Sequence, residues 1–168
     1  MILTNNPFGL SYYKATAANT PKPWDIWVVT TNAVVKHKGG VYELVMGAGT
    51  AKLAASKDPC LPNLIFNQLA KLGHNKNITN YGGILTDYYF LMLPKENTAI
   101  LQTKRHFKDP TPIDLLQTSI KMMTLGAKTM PTVIFHMPRP GCGMGGLDWN
   151  TTVKKLCESL PDNVYIYD

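Results

Sequence analysis

The hydrophobic positions alternate between short apolar runs and longer segments with helical periodicity. Nearly continuous apolar runs at residues 25–31 and 132–137 predict strands that are buried on both faces, because a half-exposed strand would alternate with polar residues. Residues 62–72 carry apolar side chains on one helical face, and Gly73 marks the end of that helix. Because no break in composition separates these elements, residues 1–168 are predicted to form one α/β domain, with a mixed sheet between helices.

Shorter signals predict the remaining elements. Residues 49–57 are predicted to form an alanine-rich helix, and a further helix is predicted to begin after a Thr111 cap and to end at Gly126. Asp148 is predicted to cap the last helix, at residues 149–160. The other segments are assigned as strands at residues 9–16, 41–45, 83–93, 98–103 and 164–167, and as polar loops at residues 20–23 and 36–40.

The composition is that of an ordinary globular protein, with 168 residues of which 45% are hydrophobic. There is no apolar run of about 18 residues, so we expect no transmembrane helix and no membrane partner. Residues 1–7 lack the basic and apolar stretches of a secretory signal. The three cysteines Cys60, Cys142 and Cys157 are widely spaced, which argues against a disulfide framework and a structural zinc site. We therefore expect a cytoplasmic protein (in the host cytoplasm if the source is viral) without metal or cofactor.

The formal net charge of +6 allows two interpretations. The excess of basic residues favours a polyanionic partner such as a nucleotide or nucleic acid. It is equally typical of a solvated basic surface, since charge alone does not indicate function.

Two glycine-rich turns, at residues 46–49 and 141–146, are the strongest functional signal. Each lies where a strand-like run gives way to a helix-like run. Glycine lets the backbone approach a ligand closely, and the first turn of the following helix leaves N–H groups unpaired. The pair of turns predicts a cradle for a phosphorylated ligand, such as a diphosphate.

Polar residues at predicted strand ends are expected to meet these turns, because ligands of open α/β sheets bind beyond the carboxyl ends of the strands. Asn32 could bind a ribose hydroxyl or only satisfy nearby backbone. Lys104 could stabilise a phosphate, polarise a leaving group or form a Schiff base with an opened sugar, or it could be an ordinary surface lysine. Cys142 is either a nucleophile or a small turn residue, and Asp148 is better explained as a helix cap than as a catalytic acid.

Four segments follow one another along the chain: TNAV at residues 31–34, VMGAGTA at residues 45–51, TKRHF at residues 103–107 and PRPGCGMGGLDW at residues 138–149. In this order they resemble the macrodomains, the ADP-ribose-binding α/β/α modules. The branch with the closest resemblance contains the macrodomains of DarG-type antitoxins and related stand-alone bacterial and phage proteins.

The resemblance implies a three-layer α/β/α fold with a mixed, mostly parallel sheet of about six strands. It also implies that the two turns wrap the diphosphate and distal ribose of ADP-ribose, that Asn32 contacts that ribose, and that Lys104 is the catalytic lysine of de-ADP-ribosylation. The residues expected to bind the ligand are Asn32, Met46, Gly47, Ala48, Gly49, Thr50, Ala51, Thr103, Arg139, Gly141, Cys142, Gly143, Met144, Gly145 and Gly146.

The implied partner is ADP-ribose or an ADP-ribosylated macromolecule, and in the DarG branch the carrier is thymidine in DNA. We therefore expect an ADP-ribosyl hydrolase. The alternatives are a non-catalytic reader of ADP-ribose and a phosphatase acting on ADP-ribose 1″-phosphate. Two features depart from the family pattern. No acid lies at residues 3–6, where many macrodomains bind adenine, and Gly145 replaces the loop aspartate of the terminal ADP-ribose glycohydrolases.

Overall fold

A computed structural model describes residues 1–17, 22 and 24–168, and its centre is a six-stranded sheet. The strands lie in the order β1-β9-β8-β2-β7-β6, and all neighbours are parallel except β6 and β7. The predicted loop at residues 20–23 lies outside the described residues, apart from Lys22. The strands are β1 (Ile2–Thr4), β2 (Asp25–Thr31), β3 (Val34–Lys38), β4 (Val41–Leu44), β5 (Gly83–Ile84), β6 (Phe90–Leu93), β7 (Thr98–Gln102), β8 (Ile134–Pro138) and β9 (Val164–Tyr167). The helices are α1 (Phe8–Ala17), α2 (Gly49–Lys57), α3 (Leu61–Lys71), α4 (Ile113–Thr129) and α5 (Lys154–Leu156).

Strand β2 shows how the layers form, because its successive side chains point to opposite faces of the sheet. Trp27 and Val29 pack into a core with residues of α1, α2 and α3. Ile26 and Val28 pack into a second core with α4 and the helical segment near the C-terminus. The chain therefore has the predicted three-layer α/β/α architecture, with a mostly parallel central sheet.

A second sheet, in the antiparallel order β4-β3-β5, lies beside the first. The prediction of a polar loop at residues 36–40 is wrong for residues 36–38, because these residues belong to β3. The turn itself consists of Gly39 and Gly40, which have φ values of +60° and +78°. Two consecutive positive φ angles are typical of a tight hairpin turn, which explains the glycine pair.

The strand predicted at residues 9–16 is wrong, since these residues lie in α1. Phe8 and Tyr12, four residues apart on one helical face, each pack edge-on against Trp27 with ring centroids 5.6 Å apart. This tertiary contact stabilises a helix in a segment whose tyrosines and threonine favour strands.

Two expected features of α4 are also wrong. Thr111 does not cap the helix: Pro112 is the N-cap residue, and its side chain makes no capping hydrogen bond. Gly126 does not end the helix, which continues to Thr129. It lies instead where a side chain would approach the ring of Phe90, with an ideal Cβ 3.4 Å from the ring. Glycine therefore permits close packing of α4 on β6.

The last predicted helix is shorter than expected. Asp148 caps it as predicted, since its carboxylate accepts a hydrogen bond of 2.7 Å from the N–H of Thr151. The following turn, Trp149–Val153, is π-helical, and α5 then adds only three residues. The predicted strand at residues 83–93 is likewise divided, because β5 and β6 belong to different sheets.

Candidate functional site

A cavity of about 420 Å³ lies at the carboxyl ends of β2, β7 and β8. The two glycine-rich turns and the segment that follows β7 form its walls, so the three expected segments do meet. The lining residues are Thr30, Thr31, Asn32, Val45, Met46, Gly47, Ala48, Gly49, Thr50, Ala51, Thr103, Lys104, Phe107, Pro138, Arg139, Gly141, Gly143, Met144 and Gly145.

The first glycine-rich turn leads into α2 and presents free backbone donors. The first hydrogen bond of the helix runs from the N–H of Lys52 to the carbonyl of Ala48, at 3.1 Å. Within the described part of the chain, the N–H groups of residues 47–51 have no acceptor. Thr50 anchors this helix end, because its hydroxyl accepts a hydrogen bond of 3.1 Å from the N–H of Thr30 in β2. The turn thus offers a rigid set of donors to an anion.

In the second glycine-rich turn, three carbonyls accept hydrogen bonds from backbone N–H groups in or beside the turn. The carbonyls of Gly141, Gly143 and Gly145 accept from Leu147, Gly146 and Thr111 at 2.9, 3.1 and 2.9 Å. Among the residues that the structure describes, the N–H groups of residues 143–145 have no acceptor. These donors lie in the cavity wall, which is the arrangement of an anion-binding nest.

Gly145 has no room for a side chain. A Cβ there would overlap the hydroxyl of Thr111, a residue that is 4% exposed, and this hydroxyl has no hydrogen-bond partner among the residues that the structure describes. An aspartate in place of Gly145, the residue that the family resemblance would supply here, therefore has no room. The physical reason is that Thr111, instead of capping α4, packs beneath this turn and donates its N–H to Gly145.

Asn32 follows β2, and both the nitrogen and the oxygen of its carboxamide already take part in hydrogen bonds. The amide group donates to the carbonyl of Val45 at 3.0 Å, and the oxygen accepts from the N–H of Val34 at 2.8 Å. These bonds hold the start of β3 against the end of β4. One N–H of the carboxamide is still available to a ligand.

Lys104 lies at the cavity wall, half-buried, with its ammonium between two loops. Its Nζ donates to the carbonyl of Met144 at 3.1 Å and to that of Phe107 at 3.3 Å. Within the described residues, no carboxylate lies within ion-pair distance of this ammonium. The ammonium therefore has only neutral partners.

A network behind Lys104 holds its backbone in place. The N–H of Thr103 donates to the carbonyl of Thr31 at 2.9 Å, and the buried Gln102 carboxamide donates to Lys104 at 3.3 Å and to Asp87 at 3.0 Å. Asp87 in turn binds Arg105 through its Nε and Nη2 atoms, with a shortest distance of 2.9 Å. The lysine is thus presented by a rigid strand end.

Arg139 lines the cavity, but two neighbours already hold its guanidinium. Its Nη1 lies 3.0 Å from Asp168, and its guanidinium carbon lies 5.1 Å from the ring centre of Trp149. Two predicted site residues, Cys142 and Gly146, are absent from the lining. Burial raises the pKa of Cys142 to about 11, so its thiol is protonated at neutral pH, and this disfavours a role as nucleophile.

None of the lining residues, all from the described part of the chain, is acidic. Asp148 is engaged elsewhere, since the hydrogen bond from the backbone of Thr151 lowers its pKa and fixes it as the helix cap. No cluster of metal ligands occurs within residues 1–17, 22 and 24–168. Over the same residues, no helix has both the length and the hydrophobicity of a membrane-spanning segment.

Five residues of the lining were not among the residues predicted to bind the ligand: Thr30, Thr31, Val45, Phe107 and Pro138. All of them except Thr30 lie inside the four sequence segments that carry the family resemblance, and Thr30 directly precedes the first of these segments. The segments were therefore the signal that could have found them.

The six-stranded mixed sheet between two helical layers is the macrodomain fold, and solved macrodomains are among the structures similar to this chain. The macrodomain of Thermus aquaticus DarG is 19% identical, with a TM-score of 0.61 over 99% of this chain and 95% of the other. The macrodomain of Mycobacterium tuberculosis DarG is 20% identical, with a TM-score of 0.57 over 87% of this chain and 90% of the other.

A third similar structure is Thermosipho africanus DarTG in complex with ADP-ribose, which is 19% identical with a TM-score of 0.57. The alignment covers 87% of this chain but only 38% of that chain, so the likeness concerns one part of the larger protein. No protein-family model and no curated protein matches this sequence.

Proposed function

We propose that this protein binds ADP-ribose in the cavity and hydrolyses the bond between ADP-ribose and a carrier macromolecule. The observation that carries the proposal is the position of Lys104, whose ammonium lies at the wall of a cavity lined by two sets of free backbone N–H groups. The N–H groups suit a diphosphate, since several aligned donors stabilise its charge without a counter-ion. The complex of Thermosipho africanus DarTG with ADP-ribose supports this choice of ligand.

The reaction adds water to the anomeric carbon, breaks the bond from that carbon to the carrier, and releases the carrier with a proton. Lys104 can serve this reaction in two ways. As an ammonium it stabilises negative charge on the leaving group. As an amine it attacks the anomeric carbon and displaces the carrier, which leaves with the proton that the amine loses. Water then adds to the anomeric carbon of this covalent intermediate, breaks the new C–N bond and returns a proton to the amine.

A comparison of Lys104 variants tests the hydrolase. We expect Lys104→Ala to lose release of ADP-ribose from an ADP-ribosylated thymidine oligonucleotide, while Lys108→Ala, an exposed lysine outside the lining, retains it. Activity in Lys104→Arg would assign the ammonium role, because guanidinium keeps its charge but is a poor nucleophile. Equal release by wild type and Lys104→Ala would remove Lys104 from the mechanism.

A second candidate is a reader that holds ADP-ribose without turnover. The absence of an acidic residue among those lining the cavity favours it, since a general acid is a common means of protonating a leaving group. Calorimetry that shows binding of ADP-ribose, with no release from thymidine-linked or protein-linked substrates, would favour the reader. Release of phosphate from ADP-ribose 1″-phosphate would instead indicate a phosphatase.

A further inference from the structure

A second cavity, of about 400 Å³, lies at the opposite end of the central sheet. Asp25 and Thr98, the first residues of β2 and β7, line it, whereas Thr31 and Thr103, at the other ends of these strands, line the first cavity. At about 3.3 Å per residue, the ends of β2 lie roughly 20 Å apart. The second cavity is therefore a separate site, and its volume suits a small molecule.

The helix ends that reach this cavity are C-terminal ends. Ala15 and Thr16 lie in the last turn of α1, and Ala54 and Lys57 lie in the last turn of α2. The C-terminal end of a helix carries the negative end of its dipole, because its last carbonyls have no partner within the helix. The first cavity receives the N-terminal end of α2 instead, so the two cavities suit ligands of opposite charge.

The lining residues that the structure describes include three acidic and two basic ones: Asp25, Asp58, Glu96, Lys22 and Lys57. Across the described ranges of the chain, neither lysine forms an ion pair with a carboxylate. Lys57 directs its ammonium over the ring of Tyr13, 6.0 Å from the ring centre, and Tyr13 lies outside the lining. The lysines therefore do not neutralise the three carboxylates.

The other partners of these carboxylates are neutral as well. Asp25 contacts the Nε2 atom of His136 at 3.0 Å, and burial lowers the pKa of His136, so this imidazole is uncharged at pH 7. Asp58 accepts a hydrogen bond of 3.1 Å from the N–H of Cys60. Glu96 forms no ion pair within the described residues. The cavity therefore keeps a negative charge that a ligand can compensate.

Two buried aromatic side chains present polar atoms to this cavity. Tyr12 is 6% exposed and Trp27 is 7% exposed, and both line the cavity. In the part of the chain that the structure describes, the Tyr12 hydroxyl and the Trp27 indole N–H have no hydrogen-bond partner, and neither is fully enclosed by protein. Burial and the charge of Asp58 raise the pKa of Tyr12, so its hydroxyl keeps its proton at neutral pH.

We propose that the second cavity binds a small organic cation, an amine or guanidinium compound that also carries a carbonyl oxygen. The carboxylates and the two helix C-termini stabilise its positive charge, and the Tyr12 hydroxyl accepts one of its N–H groups. The indole N–H of Trp27 donates to the carbonyl, and the buried Ala54 and Leu61 contact the apolar stem. This site does not depend on the proposed function.

Calorimetric titration with three probes tests the charge and the carbonyl separately. L-Argininamide has a guanidinium, an ammonium and a carbonyl, agmatine has the same two cationic groups without the carbonyl, and glutarate is an anion. An Ala-Ala-Arg-Ala-Ala amide shows whether a basic residue within a peptide also fits. All titrations are made at pH 7 and one low salt concentration, because salt screens the attraction.

The titrations compare wild type with Tyr12→Phe, Asp58→Asn and a control, Glu158→Gln. Tyr12→Phe removes only the hydroxyl. Asp58→Asn removes the charge but keeps an acceptor for the N–H of Cys60, since asparagine caps helices as well as aspartate does. Glu158 is exposed and lies outside the lining of the second cavity.

We expect wild type to bind argininamide more tightly than agmatine, because only argininamide can accept from Trp27, and not to bind glutarate. Tyr12→Phe and Asp58→Asn should each raise the Kd for argininamide about fivefold or more, while Glu158→Gln stays within about twofold of wild type. Argininamide should also raise the thermal denaturation midpoint of wild type more than that of Tyr12→Phe. Equal binding of the pentapeptide would identify a peptide side chain as the source of the cation.

Three results would overturn the proposal. The first is that wild type binds none of the cationic probes. The second is an equal Kd for argininamide in wild type, Tyr12→Phe and Asp58→Asn, which would place any binding elsewhere on the protein. The third is that glutarate binds as tightly as argininamide, since the cavity would then not select positive charge. None of these results bears on ADP-ribose binding in the first cavity.

Discussion

Adding one methyl group to each glycine-rich turn tests whether the backbone N–H groups hold the diphosphate. Gly47 and Gly143 line the cavity, and a Cβ at either position would meet no protein atom within 4 Å. Neither residue has the positive φ that would strain an alanine, in contrast to Gly49 at +58°. The added methyl groups therefore occupy open space at the cavity wall and leave the folded backbone unchanged.

The expected magnitude follows from the bonds that the methyl group displaces. A hydrogen bond from backbone N–H to a charged acceptor contributes about 1.5–3 kcal/mol. Loss of one such bond to a phosphate raises the Kd for ADP-ribose roughly 10- to 150-fold. Stability should stay equal or rise by about 0.4–1 kcal/mol, because alanine restricts the unfolded chain more than glycine does.

Calorimetric titration with ADP-ribose and thermal denaturation measure the two effects separately. Gly9→Ala serves as the matched control, since Gly9 lies in α1 outside the cavity lining and its Cβ would lie 3.9 Å from the nearest side-chain atom. Kd values within twofold of wild type for both Gly47→Ala and Gly143→Ala would show that these turns do not contact the diphosphate.

Three further predictions concern residues around the site and the core. Asp87→Ala removes the acceptor of hydrogen bonds from Arg105 and from the buried Gln102 carboxamide, so we expect the free energy of unfolding to fall by about 1–3 kcal/mol in chemical denaturation. An unchanged denaturation midpoint would show that these hydrogen bonds do not stabilise the fold. Thr111→Val removes a buried hydroxyl that has no partner in the described part of the chain, so the free energy of unfolding should hold or rise, and a loss above about 1 kcal/mol would reveal a hydrogen bond to that hydroxyl. Burial lowers the pKa of His136 below its ordinary value of 6.5, so the unfolded chain binds the proton more readily and stability falls as the pH drops from 6.5 towards the lower pKa. His136→Gln should lack this part of the pH dependence, which denaturation midpoints at several pH values would measure against wild type.

Local sequence signals predicted the elements whose cause is local. The run at residues 25–31 is long, apolar and β-branched, and it forms β2 with the predicted bounds. Helix α2 also has its predicted bounds, and α3 differs by one residue at each end. In each case the hydrophobic period and the terminating residues lie within the element itself, so neighbouring segments did not need to be known.

The errors arose where a distant partner decides the conformation. The helix at Phe8–Ala17 packs against Trp27, and Gly126, predicted as a helix end, lies inside α4 beside the ring of Phe90. Likewise, Thr111 fits the capping pattern in sequence, but packing under Gly145 takes it away from the helix. Propensity is a weak guide at such positions because tertiary packing contributes more free energy.

The sequence by itself determined which backbone segments could bind an anion and which strand ends would carry Asn32 and Lys104. These properties belong to short stretches of chain, where glycines, helix starts and strand ends are visible in the order of residues. Only the tertiary structure decided that Lys104 bonds to the carbonyl of Met144, 40 residues away, and that Arg139 is held by Asp168. The physical reason is that strand order and loop paths set the distances between residues that are remote in sequence. The spacing of residues within one short segment does not determine these distances.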